Sequence, residues 1–379
     1  QYPATVNITV TKGTVTKVYT LNLSKKLSGE MDSQILPVYG GADSIVSMSY
    51  DDGYYDSVEI LNQLLVTYNL KASAMMIAER VNDSNVQQWI DLFNQGYVEP
   101  QNHSMTHLNL KDNPTDENYQ TEILDSQTRL ENYFGNDILA YAAAYNVLSD
   151  GAWETVMDSH YAARLGAYGI NSLDLKDTTD AGGWYNLYNV PFKKSNVSDQ
   201  YSYLVHNLNK AVENGGWLLT MCHGVGAGTN SEISEATAAA LFAQIARLQE
   251  EGKVWNATMS EAIKYLRQYQ NMTSHAQWLG EEVYVTLENT GIELPEDVFD
   301  QVMTVKVQVP ETWTEALYNK QTAKVFEENG KFYAYIDVTP GATVRVENAE
   351  GQLPVDENLK FSMDRIGTRI VPPATDSKS

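Results

Sequence analysis

The chain has 379 residues, 43% of them hydrophobic and 20% charged, a globular composition long enough for two folded units. Its 49 acidic against 26 basic residues give a formal charge of −23. Such a field repels phosphate backbones and anionic lipid, which argues against nucleic acid or a membrane surface as partner. No apolar run reaches the ~20 residues that span a bilayer, and Cys222, the single cysteine, excludes an intrachain disulfide. The start at Gln1 rather than Met is the one expected of a chain trimmed of a targeting segment. Asn-x-Ser/Thr sequons such as Asn7 and Asn82 read as accidental, because another, Asn102, adjoins a candidate site histidine that a glycan would block.

In chain order, three segments emerge. Residues 1–44 carry alternating Thr/Val stretches, Thr5–Val10 and Thr14–Leu21, split by Lys12-Gly13, a pattern that predicts a β-hairpin. Residues 45–272 alternate strand with helix. Strands are predicted at Ile45–Tyr50, Lys71–Ala78, Tyr97–Gln101, Ile138–Ala144, Ala162–Ala167, Tyr185–Val190 and Trp217–Cys222. Helices are predicted at Ser57–Tyr68, Val86–Asn94, Glu117–Tyr133, Gly151–Ser159, Gln200–Glu213 and Glu232–Glu251. So many βα units favour a (β/α) barrel over an open sheet. Residues 275–379 return to alternation, at Glu282–Leu287, Val302–Val309, Lys331–Val338 and Thr343–Glu347, with Asn329-Gly330 as a hairpin turn. This predicts a smaller C-terminal β-sandwich, with any sugar contact on an aromatic rim such as Trp313. The segment after Pro372-Pro373 reads as a disordered tail.

Three motifs fall where barrel strands end, and side chains there point into one mouth. They are Ser49-Tyr50-Asp51-Asp52-Gly53, His103-Ser104-Met105-Thr106-His107 and Met221-Cys222-His223-Gly224. Two imidazoles four apart converge on one ion if the segment is helical or tightly turned. With one carboxylate they make an open His-His-Asp set of the catalytic zinc type. An ion there polarises a carbonyl and acidifies water. Asp51 is placed to act as general base and His223 as general acid. Each motif alone is weak: Asp-Asp-Gly is commonly a solvated turn, and His-x-x-x-His commonly chance. Their order and their placement at strand ends carry the reading. His160 and His206 read as structural, and Cys222 as a buried small residue beneath His223.

These motifs resemble the first, second and last motifs of the polysaccharide deacetylase family, the NodB-homology domain of carbohydrate esterase family 4. The resemblance covers about residues 45–270. It implies an irregular (β/α) barrel that binds one divalent ion, usually zinc and sometimes cobalt or nickel, and acts on an acetylated carbohydrate. By resemblance Asp51 is the base, Asp52, His103 and His107 are the metal ligands, and His223 is the acid. The family's third motif, which carries Arg and Pro before an aromatic residue and Gly, corresponds here to Tyr141-Ala142-Ala143-Ala144-Tyr145-Asn146. Its backbone N–H donor to the oxyanion would come from Ala143, with Tyr145 at the substrate. The Arg that orients the base is missing. For the fourth motif, the Asp and Trp that brace the acid, Asp174 and Trp184 are the candidates, with Trp184 also facing substrate. The function implied is removal of N-acetyl groups from an amino-sugar polymer or oligosaccharide by a secreted protein, extracellular or periplasmic and of bacterial type. The alternatives are an O-acetyl esterase on a xylan-like polymer and a degenerate carbohydrate-binding protein.

Overall fold

The computed structural model describes residues 4–12, 15–23, 28–135, 137–192, 197–226, 233–292 and 294–349. The N-terminal hairpin is present as β1 (Ala4–Lys12) antiparallel to β2 (Val15–Leu23), paired from Ala4↔Leu23 to Lys12↔Val15. Gly13 of its turn and the tail after residue 349 lie outside the described residues. Two short strands follow, β3 (Ser28–Met31) and β4 (Ser33–Ile35).

The barrel begins at β5 (Ser44–Tyr50), buried at all seven positions. A strand covered on both faces reads as a continuous run rather than an alternation, as parallel strands do. Around it stand β6 (Ala72–Met76), β7 (Val98–Asn102), β8 (Ala140–Ala142), β9 (Ala162–Tyr168), β10 (Leu187–Pro191) and β11 (Trp217–Cys222). They pair in that order, all parallel, and β11 closes on β5 from Trp217↔Ile45 to Cys222↔Tyr50. The result is a closed seven-stranded barrel with several irregular seams, one of them between β5 and β6. There β6 meets β5 only at Ser49 and Tyr50, while a short strand, β12 (Val254–Asn256), pairs with residues 44–46.

The outer helices are α1 (Tyr55–Tyr68), α2 (Val86–Phe93), α3 (Asp116–Tyr119), α4 (Ser126–Phe134), α5 (Asp150–Ser159), α6 (Gln200–Asn214), α7 (Glu235–Glu250) and α8 (Met259–Asn271). In α1 the stripe Val58, Leu61 and Leu65 is buried, as its spacing requires. The helix expected over 117–133 is instead α3 and α4 joined by a π-helical turn, Gln120–Asp125. Sequence reasoning names neither β12 nor α8. A capping box between Thr258 and Glu261 opens α8. The helix carries an apolar stripe, Met259, Ala262, Ile263 and Leu266, but polar residues on its other faces, Ser260, Lys264, Arg267 and Gln268, are buried as well.

The burial of α8 follows from its place between the barrel and the second domain. Tyr265 donates its hydroxyl proton to the Leu36 carbonyl and accepts from the Thr304 N–H, and Lys264 bridges Asp137 and Asp300. Beyond it lie β13 (Met272–Leu279), β14 (Glu282–Asn289), β15 (Met303–Val309), β16 (Glu315–Tyr318), β17 (Gln321–Lys324), β18 (Phe326–Glu328), β19 (Lys331–Val338) and β20 (Thr343–Asn348). One sheet runs β17-β16-β20-β14-β13-β3, the other β18-β19-β15-β4. Asn329 and Gly330 both take positive φ at the β18–β19 turn, as their sequence predicts. Val283, Val305, Ile336 and Val346 fill the space between the sheets. Two expectations change here. Residues 28–35 are edge strands of the sandwich rather than part of a separate N-terminal unit. Trp313 is 6% exposed inside this core, so it is a packing residue and not a rim.

Candidate active site

The ends of β5, β7 and β11 deliver the three motifs to one mouth. Asp51 continues the ladder, donating its N–H to the Cys222 carbonyl (2.9 Å). The chain then turns sharply, with Asp52 at φ 75° and Gly53 at φ 63°. Arg80 Nη1 donates to the Asp52 carbonyl (2.7 Å) while its guanidinium lies 4.4 Å from the centre of the Tyr54 ring. From β7, His103 donates Nδ1–H to the Ala142 carbonyl (2.8 Å), since a carbonyl can only accept, and this leaves the Nε2 lone pair facing the mouth. The His103–His107 segment is a tight turn, not a helix. Ser104 (φ 70°) and His107 (φ 69°) are both left-handed, and the Ser104 hydroxyl accepts the His107 N–H (2.9 Å). Non-glycine residues in that region cost about 1–3 kcal/mol each and gather where surrounding structure imposes a functional geometry.

The turn brings one ligand atom from each of Asp52, His103 and His107 within 4.8 Å of one another. Asp52 Oδ1 stands 3.4 Å from His103 Nε2 and 3.7 Å from His107 Nε2, and it is buried with no hydrogen-bond partner. An orphaned carboxylate oxygen facing two imidazole nitrogens is a donor set that fits a divalent cation. Burial opposes ionisation of Asp52, but its interaction with His103 and the charges of His103, His223 and His107 outweigh that and hold it down at about 2. Burial, then repulsion from His103, lowers the pKa of His107. The carboxylate is therefore anionic and the imidazole neutral at pH 7, the states a ligand requires.

Asp51 is 5% exposed, and both its oxygens receive Arg164 Nη2, at 2.5 and 2.7 Å. Arg164, 1% exposed on β9, is the site residue that sequence reasoning misses. Its signal is a single charge inside the otherwise small and apolar run Ala162-Ala163-Arg164-Leu165, since an arginine in a buried strand requires a partner.

Residues 40–163 match the family model described as polysaccharide deacetylase. That segment belongs to the polysaccharide deacetylase family. It carries Asp51, Asp52, His103 and His107, and it stops one residue short of Arg164. No curated protein matches the sequence. Among solved structures the chain is similar to a putative polysaccharide deacetylase from Mycobacterium smegmatis, at 15% identity and TM-score 0.46, covering 62% of this chain and 94% of that one. It is also similar to a family 4 acetyl xylan esterase from Clostridium thermocellum in complex with a cobalt ion, at 19% identity and TM-score 0.40, covering 57% and 89%. A pseudoenzyme of the same esterase family from Bacillus anthracis matches at 15% identity and TM-score 0.38, covering 58% and 65%.

The third and fourth motifs differ from the sequence expectation. The Ala143 N–H is already bonded to the Arg164 carbonyl (3.1 Å), so it is not available to an oxyanion. Tyr145 is at the site: 60% exposed, at φ 56°, its ring centre 4.7 Å from that of His107. Trp184 is not. It is fully buried, packed on Trp217 beneath the Arg267 guanidinium, and bonded through Nε1 to Gln270, so it presents no face to a substrate. Asp174 pairs with Lys176 on the surface and braces nothing at the site. His223 follows β11 closely enough to influence Asp52, and its Nδ1 is buried with no hydrogen-bond partner among the described residues. Cys222 is fully buried beneath it.

Proposed function

We propose that the protein is a metal-dependent deacetylase that removes N-acetyl groups from an acetylated amino-sugar polymer or oligosaccharide outside the cytoplasm. The observation that carries the reading is the adjacency of an ion-pair-oriented carboxylate, Asp51, to the Asp52/His103/His107 ligand set.

Asp52, His103 and His107 would hold one divalent ion, zinc in the first instance and cobalt or nickel as substitutes. Such an ion supplies Lewis acidity toward the acetyl carbonyl. Asp51 takes a proton from the attacking water, its two oxygens fixed in direction by Arg164. The backbone N–H of Tyr145, rather than that of Ala143, donates to the oxygen on which negative charge develops. The Tyr145 ring, exposed over His107, is placed to lie against a sugar face. His223 protonates the departing nitrogen. That step favours an amide substrate, because an amine cannot leave as an anion.

Acetate release from a panel of N-acetylated and O-acetylated glycans, with and without added zinc, tests the proposal. Zinc-dependent release from N-acetylated chains supports it. Release confined to acetylated xylan would make the protein an ester hydrolase. Glycan binding without release from any member would make it a binding protein.

A further inference from the structure

Resting on the reading that Asp52, His103 and His107 hold a divalent ion, we propose that Glu122 is a positioning residue that sets the affinity for that ion by clamping His107 from both sides. Glu122 sits in the π-helical turn Gln120–Asp125 between α3 and α4, and only 2% of it is exposed. A π turn adds one residue to a helix and rotates the turns after it, a device frequent at functional sites.

A buried carboxylate requires donors, and all three of these come from the residues flanking His107. Oε2 accepts the Thr106 N–H at 2.9 Å and the Leu108 N–H at 3.5 Å, and Oε1 accepts the Thr106 hydroxyl at 2.6 Å. The turn itself is fastened at the same point, for the Ser126 hydroxyl donates to the Glu122 carbonyl at 2.8 Å.

The two imidazoles are held differently. The His103 ring is fixed directly, through its Nδ1–H on Ala142. Among the described residues the His107 ring makes no hydrogen bond, and its backbone is in the left-handed region. Its direction toward Asp52 rests on ring contacts with His103 and Tyr145 and on its backbone, and the backbone is set by the amides of Thr106 and Leu108 on Glu122, together with Ser104. A carboxylate is needed, because a carboxamide offers one acceptor oxygen and turns its NH₂ against a donor. Groups that orient metal ligands in this way typically change metal affinity by about 10–100-fold when replaced.

The test uses the full chain, metal-free, titrated with zinc and with cobalt, whose visible absorption reports ligand geometry. We expect one ion per chain in the wild type. Glu122→Gln should bind about 10–100-fold more weakly, with an altered cobalt spectrum. Thr106→Val, which removes one of the three donors, should shift affinity the same way by less. The two should be non-additive in the double variant. Equal affinity in wild type and both variants overturns the proposal, as does a lowered melting temperature without a change in affinity. If Glu122→Gln does not fold, Thr106→Val decides alone. A wild type that binds no ion would instead refute the metal reading itself.

Discussion

Replacing Arg164 with Met tests the part of the site that departs furthest from the family pattern. Asp51 and Arg164 are 5% and 1% exposed, and their contact is the ion pair at 2.5 and 2.7 Å. Removing one partner of a buried pair strands the other charge, at a cost of about 3–5 kcal/mol. For a unit of the barrel's size each kcal/mol moves the melting temperature by about 2–4 °C, so Arg164→Met should melt roughly 6–20 °C lower. Asp51 would also lose its orientation, and misplacement of a reacting group by an ångström costs about 10²-fold in turnover. Asp51→Asn should retain the ion and lose on the order of 10²–10⁴-fold in turnover. It should also melt lower, since Arg164 is then the stranded charge. The double variant Asp51→Asn/Arg164→Met separates the two effects: removing both charges should recover much of the melting temperature while activity stays lost. The assay is differential scanning calorimetry beside acetate release. Arg164→Met melting and turning over like the wild type would refute the reasoning.

Three further outcomes are expected. Asp52→Ala, His103→Ala and His107→Ala should each lose the ion and activity together, and stoichiometric metal by elemental analysis in an active variant would contradict the ligand assignment. His160 should make the fold acid-sensitive. Burial lowers it from 6.5 to about 3, so the unfolded chain takes up a proton that the folded one refuses. Stability is then full above pH 6.5 and falls toward pH 3, by roughly 2 kcal/mol at pH 5; urea titrations at pH 7 and pH 5 should show this loss in the wild type and less of it in His160→Gln. Truncation after Gln270 should give insoluble protein, because it cuts the end of α8 and strips β3 and β4 of their partners β13 and β15; a soluble fragment active on small acetylated sugars would show the sandwich to be dispensable.

Legibility in the sequence divides along physical lines. Strands such as β5, β6 and β11 are visible because they are short, largely apolar runs bounded by turn residues, and β11 (Trp217–Cys222) is predicted to the residue. The ligands are legible because their chemistry is local, two histidines four apart and two adjacent aspartates at strand ends. Relations between distant segments are not. Nothing in Ser28–Ile35 says that these residues complete two sheets built mainly from residues beyond 270. Nor does spacing show that the polar faces of α8 are buried between two domains, or that a π turn lies inside what reads as one continuous helix. Trp184 and Ala143 mislead for a related reason. Each is placed by order along the chain, whereas the first is sealed in the core and the second has its N–H committed to a neighbouring strand.

Arg164 shows how that commitment and the missing third-motif arginine are connected. In a closed parallel barrel, adjacent strands end side by side, so a side chain can be supplied from the next strand and still reach the same point in the mouth. Here β8 ends in alanines, and Ala142 is the register partner of Arg164 on β9. The β8 residues beside Arg164 are small, and the guanidinium of the neighbouring strand reaches Asp51. The Arg164 carbonyl in turn takes the Ala143 N–H, which fixes the two strand ends to each other and leaves the next residues, Ala144 and Tyr145, to carry the chain over His107. The loss of an arginine from one motif and the appearance of a buried arginine one strand later are therefore a single structural fact. A reading that compares motifs in chain order sees only the loss.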